Sequence, residues 1–146
     1  MTTFEVVGGR LLADGKPVRF EPSPNIGGEC SPLFLTMHFT AGGYNGAVSW
    51  LCDPKARASA HLVISEEGDI RQLVPFDRAA WHAGPSEWKG CTTMNTHSIG
   101  IELANYGELD GGPGRWSFAG RHVPDERVFV GRHKNGGAVT GWHTYP

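Results

Sequence analysis

Apolar and polar positions along the chain alternate in short runs, which predicts strands more often than helices. Phe4 to Val7, the Gly8-Gly9 turn and a second run around Leu11 and Leu12, closed by Asp14-Gly15, predict a small hairpin opening. Prolines and glycines between Glu21 and Pro32 predict a loop. Leu33 to Phe39, LFLTMHF, is almost continuously apolar and is bounded by Pro32 and by Ala41-Gly42-Gly43. Such a run predicts a strand buried on both faces, and His38 sits inside it. Asn45 offers a side-chain cap for a short helix reaching about Cys52. Asp53-Pro54 stops it, because the residue before a proline is disfavoured in the helical region.

Ser59 to Ser65, then the turn Glu66-Glu67-Gly68-Asp69, then Ile70 to Pro75 read as strand, tight turn, strand. After a loop holding Trp81, His82 and Trp88, Ser98 to Leu103 predicts another strand. Its period of two puts Ile99, Ile101 and Leu103 on one face and Ser98, Gly100 and Glu102 on the other. From Gly107 to Gly141 the chain is glycine-rich with little periodicity, apart from a short hairpin arm at Val128 to Val130. Together these elements predict a mixed α/β domain over residues 1–146, with a central, mostly buried β-sheet flanked by helices. Only one short helix is available to cover that sheet. The chain then ends on Trp142 and Tyr145 with nothing after them to pack against, which predicts a domain lacking its C-terminal helix.

Composition narrows the function without naming it. At 146 residues a single domain can bury about 70% of its unfolded surface, so a core without disulfides is expected. Five Trp, seven Phe and three Tyr rule against disorder. Thirteen Lys plus Arg against fifteen Asp plus Glu give a net charge of -2, which favours neither a nucleic-acid backbone nor an anionic membrane. No run of about 18 apolar residues and no secretory signal pattern is present, so a cytoplasmic location is the expectation. Cys30, Cys52 and Cys91 form no CxxC pair. The unusual counts are 21 glycines, about twice average usage, and seven histidines.

His38 and Glu102 are each the only ionisable side chain in an apolar strand. Burying an unpaired charge is expensive, so each needs a partner. The residues alone leave two readings open. In one, His38 bonds a backbone carbonyl and Glu102 pairs with an arginine; in the other, both face a metal and its bound water. His61 and His82 form a second pair, for which structural roles are expected. His97, His122, His133 and His143 sit in polar or glycine-rich stretches that suggest solvated loops. Neither HExxH, nor a phosphate-binding GxxxxGK[ST], nor a GxSxG nucleophile elbow occurs.

The ordered strings MHFTAG at 37–42, SAHLVISEEGDIRQLVPFDRAAWHAGPSEWKG at 59–90 and NTHSIGIELANYG at 95–107 resemble the type 2 family of zinc-dependent N-acetylmuramoyl-L-alanine amidases. That family includes AmpD-like amidases, phage lysozyme-type amidases and peptidoglycan recognition proteins. The likeness runs from about Leu33 to Tyr145. It implies that His38 is a zinc ligand and that Glu102, in the SIGIE motif, is the catalytic glutamate. Ala60 stands where phage lysozyme-type members carry a tyrosine, so the resemblance is to the AmpD-like branch. Two further zinc ligands and a lysine belong to a late GH...PxRKxDPG-like motif that does not occur in these 146 residues. GWHTYP is then expected to lead into the helix before that motif.

What the resemblance implies is hydrolysis, by zinc-activated water, of the amide joining N-acetylmuramic acid to L-alanine in peptidoglycan or an anhydro-muropeptide. Residues 1–146 alone are expected to be inactive. A phage or prophage lysin of this kind would act on the cell wall instead of in the cytoplasm. Trp81 and Trp88 are candidates for stacking on sugar rings, and Asn95 for a polar substrate contact. The alternative is a non-catalytic peptidoglycan-binding module of the same fold. Nothing in the sequence sets the oligomeric state.

Overall fold

The computed structural model describes residues 1–133 and 135–145, and in it the alternating pattern becomes many short strands with little helix. The chain opens with an antiparallel meander, β1 (Phe4–Val7), β2 (Arg10–Ala13) and β3 (Lys16–Pro17). Asp14 and Gly15, between β2 and β3, both have positive φ (48° and 73°). A two-residue hairpin turn of mirror-image geometry demands this, and aspartate and glycine tolerate it best. There follow β4 (Arg19–Phe20), β5 (Ile26–Glu29), β6 (Phe34–Phe39), α1 (Tyr44–Leu51), β7 (Leu62–Ile64), β8 (Ile70–Gln72) and β9 (Arg78–Ala80). A single helical turn, α2 (Met94–His97), leads into β10 (Ser98–Leu103). The remainder holds β11 (Glu108–Leu109), β12 (Ser117–Phe118), β13 (Arg121–His122), β14 (Val128–Arg132) and β15 (Val139–His143).

The central sheet has five strands in the order β4-β8-β7-β10-β6. β10 runs parallel to both neighbours, and β7 and β8 form the expected antiparallel hairpin. Helix α1 packs Val48 and Leu51 against Val63, Leu73 and Val74, the main buried cluster. Gln72 is wholly buried yet fully satisfied. Its Oε1 accepts from Leu11 N and Arg10 Nε, and its Nε2 donates to Gly9 O and Val74 O. One amide therefore staples the N-terminal meander to the sheet, using all four of its bonding positions.

The mixed α/β architecture is the expected one, and four details differ. β6 is an edge strand with one open face: Leu35, Met37 and Phe39 are 69%, 55% and 51% exposed. A continuous apolar run cannot by itself distinguish burial on two faces from burial on one. The cap of α1 is Gly43, with no side-chain bond, because Asn45 already lies inside the helix. The stretch from Glu21 to Pro32 contains β5, paired antiparallel to β9. Finally, the glycine-rich stretch from Gly107 to Gly141 is organised by pairing: β11, β15 and β14 form a three-stranded sheet, and β12 pairs with β13.

That C-terminal meander has its own core of Leu109, Trp116 and Val123. It takes Gly141, Trp142 and His143 into β15. His143 is buried there, contrary to the expectation of a solvated loop. Its ring stacks on Tyr106, and its Nδ1 accepts a bond from Tyr106 N. Arg127 Nη2 pairs with Glu66 Oε2 at 2.7 Å, which ties the meander to the β7–β8 turn.

Candidate active site

Parallel pairing of β6 with β10 decides where the two singular side chains meet. The register sets Glu102 opposite His38 and Val63 opposite Glu102. Directly paired residues share a face, about 4.8 Å apart between strands. His38 and Glu102 are therefore neighbours on the face that α1 covers through Val63. Burial pushes the Glu102 carboxyl above its ordinary value and the His38 imidazole below its own. Glu102 Oε2 is buried without a hydrogen-bond partner, and no ion pair among the described residues includes this carboxylate. The arginine pairing that sequence reasoning left open for Glu102 is thus not what the fold uses.

Among the described residues the His38 ring makes no hydrogen bond to a backbone carbonyl. Its Nε2 lies 3.1 Å from Nδ1 of His82, with the two rings edge to face. Sequence reasoning paired His82 with His61 and missed this contact, because 44 residues separate the partners and no local spacing signals it. His61 has the structural role expected of it. Gly100 N donates to its Nδ1 at 3.0 Å, its Nε2 donates to Arg78 O at 2.9 Å, and burial lowers its pKa to about 4.

The loop that carries His82 is held from below. Asn95 Oδ1 accepts from the backbone N–H of His82 (3.0 Å) and of Ala83 (2.8 Å). Asn95 is therefore placed as an anchor for the loop, its carbonyl oxygen already engaged. The His82 ring lies over the backbone of Gly100, where a Cβ would stand 2.5 Å from His82 Cδ2 and 2.8 Å from Nδ1. Only glycine leaves room for the ring. Burial also lowers the pKa of His82.

Beside the His38–His82 pair opens a cleft of about 460 Å³, lined by Phe34, Thr36, His38, His82, Trp88 and Met94 among others. Trp88 stands at the end of a tight turn in which Trp88 and Cys91 exchange two backbone bonds of 2.9 Å, and Lys89 and Gly90 supply the positive φ. Trp88 is 58% exposed and lines the cleft. Trp81 does not line it. That side chain packs beside Gly27 of β5, with Nε1 3.2 Å from where a Cβ would be. Glu102 lines a separate cavity of about 240 Å³ with Thr40, Trp50 and Leu51. Tyr145 lies near enough that the Glu102 carboxylate, after burial, raises the pKa of its phenol.

Among the described residues no group of three or more His, Cys, Asp or Glu stands close enough to hold a metal ion. What the fold does offer is one imidazole beside one buried carboxylate with an orphaned oxygen, a fit for one ligand and one proton acceptor of a metal hydrolase.

The family model described as N-acetylmuramoyl-L-alanine amidase (Amidase_2) matches residues 29–129. The 1,6-anhydro-N-acetylmuramyl-L-alanine amidase AmpD of Escherichia coli is 55% identical over 47 residues, 32% of this chain and 26% of that protein. The N-acetylmuramoyl-L-alanine amidase AmiD of Escherichia coli is 39% identical over 80 residues, 50% of this chain and 28% of that protein. The chain thus spans little more than a quarter of the length of these relatives. Among solved structures, a crystal structure of an AmpD derivative superposes with a TM-score of 0.53 at 30% identity, covering 77% of this chain and 70% of that one.

Proposed function

The chain belongs to the Amidase_2 family of N-acetylmuramoyl-L-alanine amidases, and from that premise we propose that it hydrolyses the amide between N-acetylmuramic acid and L-alanine. The substrate is peptidoglycan or the anhydro-muropeptide derived from it, the class named for the similar AmpD proteins. The observation that carries the reading is the His38–Glu102 pair: register neighbours on one sheet face, with Glu102 Oε2 buried and unpartnered beside the cleft strand.

His38 is one zinc ligand in this reading. When bound, zinc supplies a Lewis acid that brings the ionisation of water toward about pH 7. The chain's own contribution is proton transfer and placement. Burial makes the Glu102 carboxylate a stronger base than an exposed glutamate. Glu102 takes one proton from the attacking water as its oxygen bonds to the lactyl carbonyl carbon. It then delivers that proton to the alanine nitrogen as the C–N bond breaks. Trp88 offers a flat apolar face to a sugar ring at the cleft rim.

A second reading, a non-catalytic peptidoglycan-binding module of the same fold, draws support from the lack of a three-ligand group among the described residues. One experiment separates the two. The chain, extended by a segment carrying the family's late GH...PxRKxDPG-like motif, is assayed with zinc for release of L-alanyl peptide from a muramoyl-peptide. Turnover that disappears in Glu102→Gln, and stoichiometric zinc that disappears in His38→Ala, are expected. Muropeptide binding without release would establish the module instead, and full zinc content in His38→Ala would remove His38 from the ligand set.

A further inference from the structure

We infer that His82 is a positioning residue for His38, holding that imidazole in the tautomer protonated on Nε2 so that its Nδ1 lone pair is free for a metal. The inference rests on the reading of His38 as a zinc ligand, but the tautomer itself follows from hydrogen-bond accounting in the chain alone.

The Ser98 hydroxyl has one proton to give. Ser98 Oγ donates it to Met94 O at 2.7 Å. Towards its other neighbours, Thr36 Oγ1 at 3.1 Å and His82 Nε2 at 3.3 Å, Ser98 Oγ can therefore only accept. The backbone carbonyl of Ser98 lies 3.4 Å from the same His82 nitrogen and also only accepts. His82 Nε2 must then carry a proton. In the neutral ring that leaves Nδ1 as a lone pair, and Nδ1 is the atom 3.1 Å from His38 Nε2. A lone pair there requires His38 Nε2 to donate. A neutral His38 has no second proton, so its Nδ1 is the basic nitrogen.

Two further features hold the relay in place. The Asn95 carboxamide fixes the backbone at His82 and Ala83, and Gly100, lacking a Cβ, lets the His82 ring lie close against β10. Metal-bound imidazoles usually give their other ring N–H to an acceptor that sets tautomer and orientation. Here the acceptor is a second histidine, itself oriented by a serine at the start of the strand that bears Glu102. One short strand, β10, thereby places the acid–base residue directly and the ligand indirectly.

The test is long-range ¹H–¹⁵N NMR of the histidine rings in the metal-free 146-residue chain at pH 7.5. Both His38 and His82 are expected as single Nε2–H tautomers, and an Nδ1–H tautomer at His38 would overturn the inference without any variant being made. His82→Phe keeps the ring but removes the acceptor, and should convert His38 to a mixture of tautomers. His82→Asn puts an oxygen near the position of Nδ1 and should restore the single tautomer. A His38 tautomer unaffected by His82→Phe would show that His82 only fills space. In a form of the chain with a complete zinc site, the same pair should lower and then restore zinc affinity by about 10–100-fold. His38→Ala answers separately whether His38 is a ligand at all, so the two readings fail on different measurements.

Discussion

Gly100 and His82 occupy space that neither could hold if the other were larger: the imidazole lies against the glycine backbone, and any Cβ would enter the ring. Gly100 sits between Ser98 and Glu102 on the same face of β10. A residue with no side chain is thus the floor on which the histidine reaching His38 is laid, two positions from the buried carboxylate.

Gly100→Ala should therefore act on the site rather than on the strand, which tolerates alanine conformationally. Overpacking of this kind costs about 1–3 kcal/mol, and the displaced ring should lose its bond to His38. Denaturant unfolding and the His38 ring spectrum measure the two effects. A fully stable Gly100→Ala chain with an unchanged His38 spectrum would show that the loop gives way freely.

Glu102→Gln keeps shape and hydrogen bonding but cannot carry a proton. In a zinc-replete, extended form of the chain it should lower turnover by about 10²-fold or more, the range general acid–base catalysis supplies, with zinc content unchanged. Wild-type kcat on a muramoyl-peptide would remove Glu102 from the mechanism.

Residues 1–146 by themselves should bind zinc weakly and show no amidase turnover. A stable zinc site needs at least three protein ligands, and no such group is assembled among the described residues. Competition against a chelator gives the affinity. Tight stoichiometric zinc with full activity would show a ligand set other than the one proposed.

Stability should fall between pH 6.5 and 4. The folded-state pKa of His61 is about 4 against an ordinary 6.5, because burial disfavours the charged ring. The unfolded chain then binds a proton in that window that the folded chain refuses. Stability is complete above 6.5, is lost as pH falls through the window, and levels off below it, a change on the order of 3 kcal/mol. The lowered values of His38 and His82 act in the same sense, whereas the raised value of Glu102 acts against it. Urea unfolding at pH 7.5, 5.5 and 4 should show the slope in wild type and a shallower one in His61→Gln. Equal slopes would mean that His61 is protonated without cost in the fold.

The periodicity of the chain determined by itself that strands lie within Leu33 to Phe39 and Ser98 to Leu103, that Ser59 to Ser65 and Ile70 to Pro75 hold a hairpin, paired in the structure over Leu62–Ile64 and Ile70–Gln72, and that Ile99 and Ile101 face away from Glu102. These follow from local rules: alternation, turn residues and proline stops act within a few residues. The singularity of His38 and Glu102 was legible for the same reason, since one ionisable group in an apolar strand stands out. Only the tertiary structure decided that the two are register partners, because pairing β6 with β10 joins segments that no local pattern relates. It likewise decided that β6 is an edge with an open face, and that His82, whose ring meets His61 edge to face, also brings its Nδ1 to 3.1 Å from His38 Nε2. In the glycine-rich stretch, backbone pairing between β11, β14 and β15 supplied the order that side-chain periodicity did not announce. Hydrogen bonds between distant backbones depend on how the chain returns upon itself, and that return is set by the packing of the whole domain.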